Sequence, residues 1–296
     1  MTPMTQTPYP RPTSDEHADH RPGGPADQPR WPVWLKVVLT PVIFLTIVTV
    51  GVLPLLPFET ALQSAATEIQ LVVQVASHVV VLVLAAGVLW LMARFIQRVR
   101  LGDVGVLWSR RSLQLLGFGL AISIAITVPA GLLLQELGLL RDYFEPNTAV
   151  PAWMEVAVML SMAFFLQGIP EEWFFRGWIL RVMGHRPVRA IWTSAILFGV
   201  IHIISEGPQE NLFERLVYVA MATAFGLSCA VLAVQLRSVW VAAGIHAGIH
   251  VANIIGTLLG MGQGPWLWGV IAVGHLLVGL VAMRLRPLPS EVTFER

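Results

Sequence analysis

Long apolar stretches alternate with short polar links along most of the chain. Most of these stretches have about the 20 residues that a helix needs to cross the hydrocarbon core of a bilayer. We place eight membrane helices near residues 34–56, 71–94, 113–135, 152–180, 190–204, 212–235, 238–259 and 266–284. The fifth stretch is short, so we expect its helix to tilt or to extend into the flanking residues. The pattern predicts an all-α, polytopic membrane helix bundle.

The ends of the chain and a shift in polarity suggest four regions. Residues 1–30 are rich in proline and polar side chains, and we expect a disordered cytoplasmic tail there, because such a segment cannot bury enough apolar surface to fold. It is not a signal peptide, since the apolar run that follows starts too late and is too long. Polar residues concentrate after residue 150, which separates N-terminal membrane helices (31–150) from a core (151–260). Residues 261–296 hold the last membrane helix and a short cytoplasmic tail.

Composition narrows the class of protein. The chain has 296 residues, of which 55% are hydrophobic and 12% charged, and this is typical of a membrane protein. The formal net charge is +1 and basic residues form no cluster, so we expect no nucleic-acid partner. The single cysteine, Cys229, excludes a disulfide framework and a paired-cysteine metal site.

Basic residues indicate the orientation of the helices, because cytoplasmic links of membrane proteins carry an excess of Lys and Arg. With eight helices, one side of the membrane receives Arg30, Lys36, Arg94, Arg98, Arg100, Arg110, Arg111, Arg181, Arg186, Arg189, Arg237, Arg284 and Arg286. The links of the opposite side hold only Arg141 and Arg215. We therefore expect both termini in the cytoplasm and a multi-pass protein of the cell inner membrane or plasma membrane.

Two adjacent carboxylates, Glu171 and Glu172, interrupt the fourth apolar stretch. Ionisable groups at membrane depth are rare and indicate a functional site. We expect Pro170 to start a new helical turn, which would place both acids where the helix dipole favours negative charge. Glu172 and Arg176 are four residues apart and share a helix face, whereas Glu171 is rotated by about 100°. The charge of Glu172 is then neutralised by Arg176, and Glu171 remains available for chemistry. The alternative is that the glutamates and Arg176 form only a structural ion pair that stabilises a kinked helix.

Histidines on two other predicted helices fit the same site. His202 ends the fifth stretch, and the seventh stretch carries His246, His250 and Asn253 at the i, i+4 and i+7 positions of one helix face. Counted from the nearest arginines, Glu171 and the three histidines lie at similar depths of about 14–20 Å. We expect them to meet in one polar cavity in the cytoplasmic half of the membrane, with a substrate that enters from the cytoplasm or the bilayer.

Three motifs occur in order on separate predicted helices: Glu-Glu-x-x-x-Arg from residue 171, Phe-x-x-x-His from residue 198 and His-x-x-x-His from residue 246. This series resembles the CPBP family, the intramembrane endopeptidases of the CAAX prenyl protease 2 and bacteriocin-processing (Abi) type. The resemblance covers about residues 150–258 and implies a catalytic core in residues 151–260. It also implies hydrolysis of a peptide bond in a membrane-associated protein or peptide.

The resemblance implies roles for the first two motifs. Glu171 acts as general base and His202 holds the same water and passes a proton to the leaving amine. Glu172 and Arg176 orient the loop and the acid, and a share of the base role for Glu172 stays open. Some members of the family are thought to be scaffolds without proteolytic activity that regulate a partner such as a sensor kinase, and this alternative stays open.

The third motif departs from the family pattern. His246 is expected to donate to the oxyanion of the tetrahedral intermediate, together with an asparagine four residues later. That position is His250 in this sequence, and Asn253 follows three residues further on. Either side chain can supply the second donor.

We expect catalysis without a cofactor, although zinc is an alternative. Glu171, His202, His246 and His250 offer the nitrogen and oxygen ligands that catalytic zinc takes. The His-Glu-x-x-His signature is absent, however, and Arg176 adds positive charge near the site. A proton-coupled transporter would also contain buried Glu and His residues, but the chain shows no repeated halves.

Overall fold

The computed structural model describes residues 31–141 and 151–295. Eight helices within these ranges are long and apolar enough to cross a membrane, which confirms the predicted all-α membrane bundle. We number them α1 to α8: Val33–Gln63, Thr67–Gln97, Arg110–Glu136, Ala152–Val182, Pro187–Ile204, Leu212–Leu236, Trp240–Leu258 and Pro265–Leu285. The tail expected at residues 1–30 lies outside the described residues, and the predicted domain boundaries stay predictions.

Helix α5 is the short helix that the sequence predicted. It has 18 residues, or about 27 Å at 1.5 Å per residue. Pro187 stands at its start. Proline is well tolerated there, because the first N–H groups of a helix have no intrahelical acceptor and proline lacks only such a group. The last turn, His202–Ile204, is a 3₁₀ turn. His202 is thus at the very end of α5.

One end of the bundle collects the arginine-bearing links. Nζ of Lys36, at the start of α1, donates to the side-chain oxygen of Gln97 at the end of α2. Nε1 of Trp240, which begins α7, donates to the carbonyl of Leu107 before α3 at 2.8 Å. We call this the arginine-rich end; it comprises residues 98–109, 183–186, 237–239 and 286–295.

The other links meet at the opposite end of the bundle. The backbone of Arg141 exchanges two hydrogen bonds with Gln263, at 2.9 and 2.8 Å. The guanidinium of Arg141 donates to Glu214 at 2.8 Å and pairs with Glu210 at 2.5 Å. This second end comprises residues 64–66, 137–141, 205–211 and 259–264. The helices therefore alternate in direction, as predicted, while the cytoplasmic location of both termini stays a prediction.

Helices α3 and α7 pack with their backbones in contact. A Cβ atom on Gly119 of α3 would lie 2.2 Å from the carbonyl oxygen of Val241, and one on Gly244 of α7 would lie 2.1 Å from that of Leu116. Small residues continue this α3 face every fourth position, at Gly119, Ser123, Thr127 and Gly131. Such a stripe allows close approach, on which helix association in lipid depends. The contact fixes the position of α7.

The expected new turn at Pro170 is present as Ile169–Glu172, but it lies inside the continuous helix α4, so the expected favourable helix dipole at the two glutamates was wrong. The chain widens into π-helical turns at Met162–Gly168 and Trp173–Ile179, on either side of the glutamates. The N–H of Ile169 donates to the carbonyl of Phe164, five residues back. The wider turn accommodates a proline that would clash with the preceding turn of a regular α-helix. Both carboxylates therefore lie in mid-helix, away from the positive end of a helix dipole.

The glycine contact generates a matched test within one helix. Gly119→Ala would force α3 away from α7, and overpacking of this kind costs about 1–3 kcal/mol. Gly117, two residues earlier, faces open space, and a Cβ atom there would meet no neighbouring group within 4 Å. We expect Gly119→Ala to lower the midpoint of thermal unfolding in detergent and Gly117→Ala to leave it unchanged. Equal midpoints for the two variants would contradict this packing.

Candidate active site

Helices α4 to α8 surround a cavity of about 580 Å³, a size typical of ligand-binding sites (about 300–1,000 Å³). Five of the seven side chains singled out from the sequence line it: Glu171, His202, His246, His250 and Asn253. They come from α4, α5 and α7. The remaining two, Glu172 and Arg176, are not among the lining residues. The geometry thus separates the two neighbouring glutamates.

Glu172 and Arg176 lie behind the cavity wall, and both are fully buried. Nη1 of Arg176 donates to Oε1 of Glu172 at 2.9 Å. Nδ1 of His246 lies 3.0 Å from the same oxygen. Because a carboxylate oxygen can only accept, the Nδ1 atom of His246 carries the proton and donates it. Glu172 therefore joins α4 to α7 and fixes the orientation of His246.

An aromatic cage surrounds the Arg176 guanidinium. Its carbon lies 4.3 Å from the ring centroid of Phe198 and 5.9 Å from those of Phe175 and Phe225. A cation over ring faces gains attraction that grows when water is absent. A Cβ atom on Gly226 would lie 2.7 Å from Nη2 of the arginine, so α6 leaves room for this group only with glycine there. The cage holds the positive charge next to Glu172.

Glu171 has no such partner. Its side chain faces the cavity with 7% of the residue exposed, and no hydrogen bond reaches its buried Oε2 atom from the described residues. Gln167, one helical turn earlier, also lines the cavity, and its side-chain oxygen is buried without a partner in the same part of the chain. Buried polar atoms are nearly always satisfied, so two unpartnered oxygens on one face indicate a position for water or substrate.

His202 is held in one tautomer by the end of α5. Its Nδ1 donates to the carbonyl of Phe198 at 2.7 Å, because a carbonyl oxygen can only accept. In the neutral ring, Nε2 is then an acceptor. Nη1 of Arg215 donates to the carbonyls of Ile203 and Ser205, at 3.3 and 3.2 Å, and so secures the turn that carries the histidine.

The α7 face brings its three polar side chains to the cavity. The rings of His246 and His250 are stacked with centroids 5.4 Å apart. The amide oxygen of Asn253 accepts from Nε2 of Gln263 at 3.3 Å, and Oε1 of Gln263 accepts from the indole of Trp268. Since its oxygen is engaged, Asn253 has its NH₂ group left as a donor for a ligand.

Sequence reasoning missed Gln167 and Gln263. Gln167 carried a usable signal, because it is a polar residue in an apolar stretch and lies four positions before Glu171, on the same helix face. Gln263 lies in a link and reaches Asn253 only because the link folds back over α7, which no periodicity predicts.

Two other buried histidines have structural partners. Nδ1 of His78 contacts the hydroxyl of Ser161 at 2.7 Å, and Nδ1 of His275 contacts that of Ser228 at 3.0 Å. Neither histidine is among the residues that line the cavity. Cys229 is fully buried among the packed helices. We assign packing roles to these three residues.

The cavity extends toward the end of the bundle opposite the arginines. Its wall includes Ser205, Glu206 and Pro208 of one link and Met261 and Gln263 of another. The expectation of a cavity confined to the arginine-rich half was therefore wrong. Helix α5 ends only two residues after His202, so this histidine lies near the end of the bundle opposite the arginines.

No group of three or more His, Cys, Asp and Glu side chains in residues 31–141 and 151–295 is arranged to hold a metal ion. The Nδ1 atoms of His202 and His246 are already bonded, to a backbone carbonyl and to Glu172. Each ring has its Nε2 atom left for a ligand.

The part of the chain that carries this site is similar to a known family. Residues 153–252 match the family model described as Type II CAAX prenyl endopeptidase Rce1-like. The match covers about a third of the 296 residues, and over that region the chain is similar to this family. The match contains all three motifs and confirms the resemblance drawn from them. No curated protein matches the chain. The family's description names an endopeptidase of the CAAX prenyl type.

The buried pair generates a prediction about stability. Arg176→Ala leaves the Glu172 carboxylate buried without its cation, a change that costs about 3–5 kcal/mol. We expect a low yield of folded protein in size-exclusion chromatography. The double variant Glu172→Gln/Arg176→Met removes both charges and should recover most of that yield, although not activity. A double variant that folds no better than Arg176→Ala would contradict the pairing.

Proposed function

We propose that this Rce1-like chain is a glutamic-type intramembrane endopeptidase, in which Glu171 and His202 activate a water molecule. The observation that carries this proposal is the different state of two adjacent carboxylates. Glu172 is fixed by Arg176 and His246, whereas Glu171 faces the cavity with no partner among the described residues. A free carboxylate at a protected site is what a general base requires.

The two acceptors at the cavity orient the water. Glu171 accepts one of its hydrogens and Nε2 of His202 accepts the other. The lone pairs of the water oxygen then point away from both groups, toward a substrate carbonyl in the cavity. This arrangement supplies orientation as well as basicity, and correct positioning contributes a large share of enzymatic rate enhancement.

Donors on α7 stabilise the oxyanion that forms. Glu172 holds the Nδ1–H of His246, so Nε2 is the nitrogen left to face the oxyanion, and it donates when the ring is protonated. The NH₂ group of Asn253, whose oxygen Gln263 holds, is the second donor. His250 stacks on His246 and shapes the wall between them. Donors fixed before the reaction are among the strongest contributions to catalysis.

The reaction is an ordinary hydrolysis. The water oxygen forms a bond to the carbonyl carbon while Glu171 takes a proton. Nε2 of His202 takes the second proton of the former water from the tetrahedral intermediate and passes it to the leaving amine as the C–N bond breaks. The products are a carboxylate and an amine, and the proton on Glu171 returns to solvent. No metal takes part in this scheme, which uses the free Nε2 atoms of both histidines for water and oxyanion.

The test of function compares Glu171 with Glu155, a second glutamate of the same helix that lies outside the cavity. Membranes that contain the wild-type chain should yield peptide fragments with new termini, and the Glu171→Gln variant should not. With a peptide that spans the cleaved bond as substrate, we expect Glu171→Gln to lower kcat/KM by about 100-fold or more. Glu155→Gln, on the same helix but outside the cavity, should retain wild-type kinetics.

A wild-type chain that releases no fragments would favour the scaffold alternative. Fragments released equally by Glu171→Gln would contradict the assignment of the base. Ion flux into liposomes that requires Glu171 but is accompanied by no cleavage would instead support a transporter.

The departure in the third motif provides a test of the oxyanion site and of zinc. We expect His250→Asn to keep most activity, whereas Asn253→Ala should lower kcat by about 10²–10³-fold, the usual effect of losing an oxyanion donor. Gln263→Ala should also lower kcat, with KM less affected.

A strong chelator should leave activity unchanged. Stoichiometric bound zinc, with activity that disappears on chelation and returns with added zinc, would show a metal enzyme.

A further inference from the structure

We propose that the cavity opens to the extracytoplasmic side of the membrane, and that the substrate is an extended extracytoplasmic segment of a membrane-anchored or exported polypeptide. The inference rests on the proposed function for the identity of the occupant. Packing and charge alone indicate the direction in which the cavity opens, and this direction can be tested without proteolysis.

The arginine-rich end of the bundle is closed beneath the cavity. The side chains of Phe174, Phe175, Trp178 and Ile179 on α4 are fully buried there, together with the equally buried stretch from Val239 to Ala243 that begins α7. Arg176 and its three phenylalanines fill the space between them. These buried groups lie between the described arginine-rich links and Glu171.

The C-terminal segment adds a second layer to this closed end. Val292 and Phe294 are 0% and 5% exposed. The N–H of Val292 donates to the carbonyl of Gly184 before α5, and that of Glu295 donates to the carbonyl of Arg237 before α7. The segment therefore covers the ends of several helices and reinforces the closure.

The opposite end is where the cavity reaches the surface. Glu206, in the link between α5 and α6, is exposed and lines the cavity, and the half-buried Ser205 and Gln263 stand beside it. Arg141 ties the two links of this rim together through its pairs with Glu214 and the Gln263 backbone. Exposed and half-buried polar side chains thus stand at this rim of the cavity.

One wall of the cavity faces the bilayer. Phe44 and Leu45 of α1, Gln74 of α2 and Met159 of α4 line it, and Leu45 and Gln74 are exposed on the outer surface of the bundle. A polypeptide that continues into a membrane anchor can leave along this wall. A segment next to such an anchor is accordingly the kind of substrate that fits the cavity.

Charge decides which side the rim faces. The arginine-rich end carries the Lys and Arg excess that marks cytoplasmic links. Arg141 and Arg215 are the basic residues described at the other end, and both are engaged with Glu214 or with backbone carbonyls. The open rim is therefore extracytoplasmic.

Cysteine labelling tests the opening in the full-length chain. The native Cys229 is fully buried, so single cysteines can be added without removing it. Labelling of the wild-type chain measures the background reaction of Cys229. Thr257→Cys places a thiol inside the cavity, and His185→Cys places one at the arginine-rich end, where the side chain is 85% exposed. Val273→Cys, on the outer face of α8, controls for thiols in lipid. The probe is a membrane-impermeant maleimide applied to right-side-out spheroplasts.

We expect the Thr257→Cys variant to react to the same extent before and after permeabilisation, and the His185→Cys variant to react only afterwards. The Val273→Cys variant should stay unreacted. Reaction of Thr257→Cys only after permeabilisation, or not at all, would overturn the inference.

The origin of released fragments tests the substrate. Fragments that depend on Glu171 should map to extracytoplasmic segments next to membrane anchors, and fragments from cytoplasmic segments would overturn the substrate assignment. Absence of any fragment would reject the proposed protease function, while labelling would still decide the direction of the opening.

Discussion

The site depends on one buried interaction, in which Glu172 accepts hydrogen bonds from both Arg176 and His246. A buried charge is costly unless it is paired and hydrogen-bonded. Here the cost is offset by a cation that is itself enclosed by aromatic rings, and by an imidazole on a second helix. The same oxygen thus joins α4 to α7 and determines which nitrogen of His246 remains for a ligand. Glu171, one residue earlier, stays free for chemistry because the helix turns it toward the cavity.

Close packing of the backbone makes this interaction possible. The glycine contacts of α3 with α7 set the distance of the histidine-bearing face from α4. The π-helical turns on either side of Pro170 let α4 continue through the proline, so that both glutamates lie in mid-helix. A Cβ atom on Gly168 would lie 3.1 Å from the backbone nitrogen of Ala247, which brings the widened part of α4 directly against α7. Changes that look remote from the cavity therefore act on its geometry.

Much of this arrangement was predictable from the sequence. Eight apolar stretches predict the helices, and the i,i+4 spacing predicts the pairing of Glu172 with Arg176, because both patterns express local helix geometry. The continuous helix at Pro170 was not predictable, since a widened turn depends on what packs around it. Contacts between distant links, such as Gln263 with Asn253, depend on tertiary folding and leave no periodic signal. The side from which the cavity opens required the packing of all the described helices.

The central claim is that two adjacent glutamates have different functions, and a comparison of unfolding free energies tests it directly. Glu172→Gln leaves Arg176 buried without its carboxylate and should destabilise the protein by about 3–5 kcal/mol. Glu171→Gln replaces an unpaired buried carboxylate by a neutral amide and should leave the stability unchanged or higher. The free energy of unfolding should be measured in one detergent for the wild type and for both variants. Equal destabilisation by the two substitutions, or a larger loss for Glu171→Gln, would contradict the account.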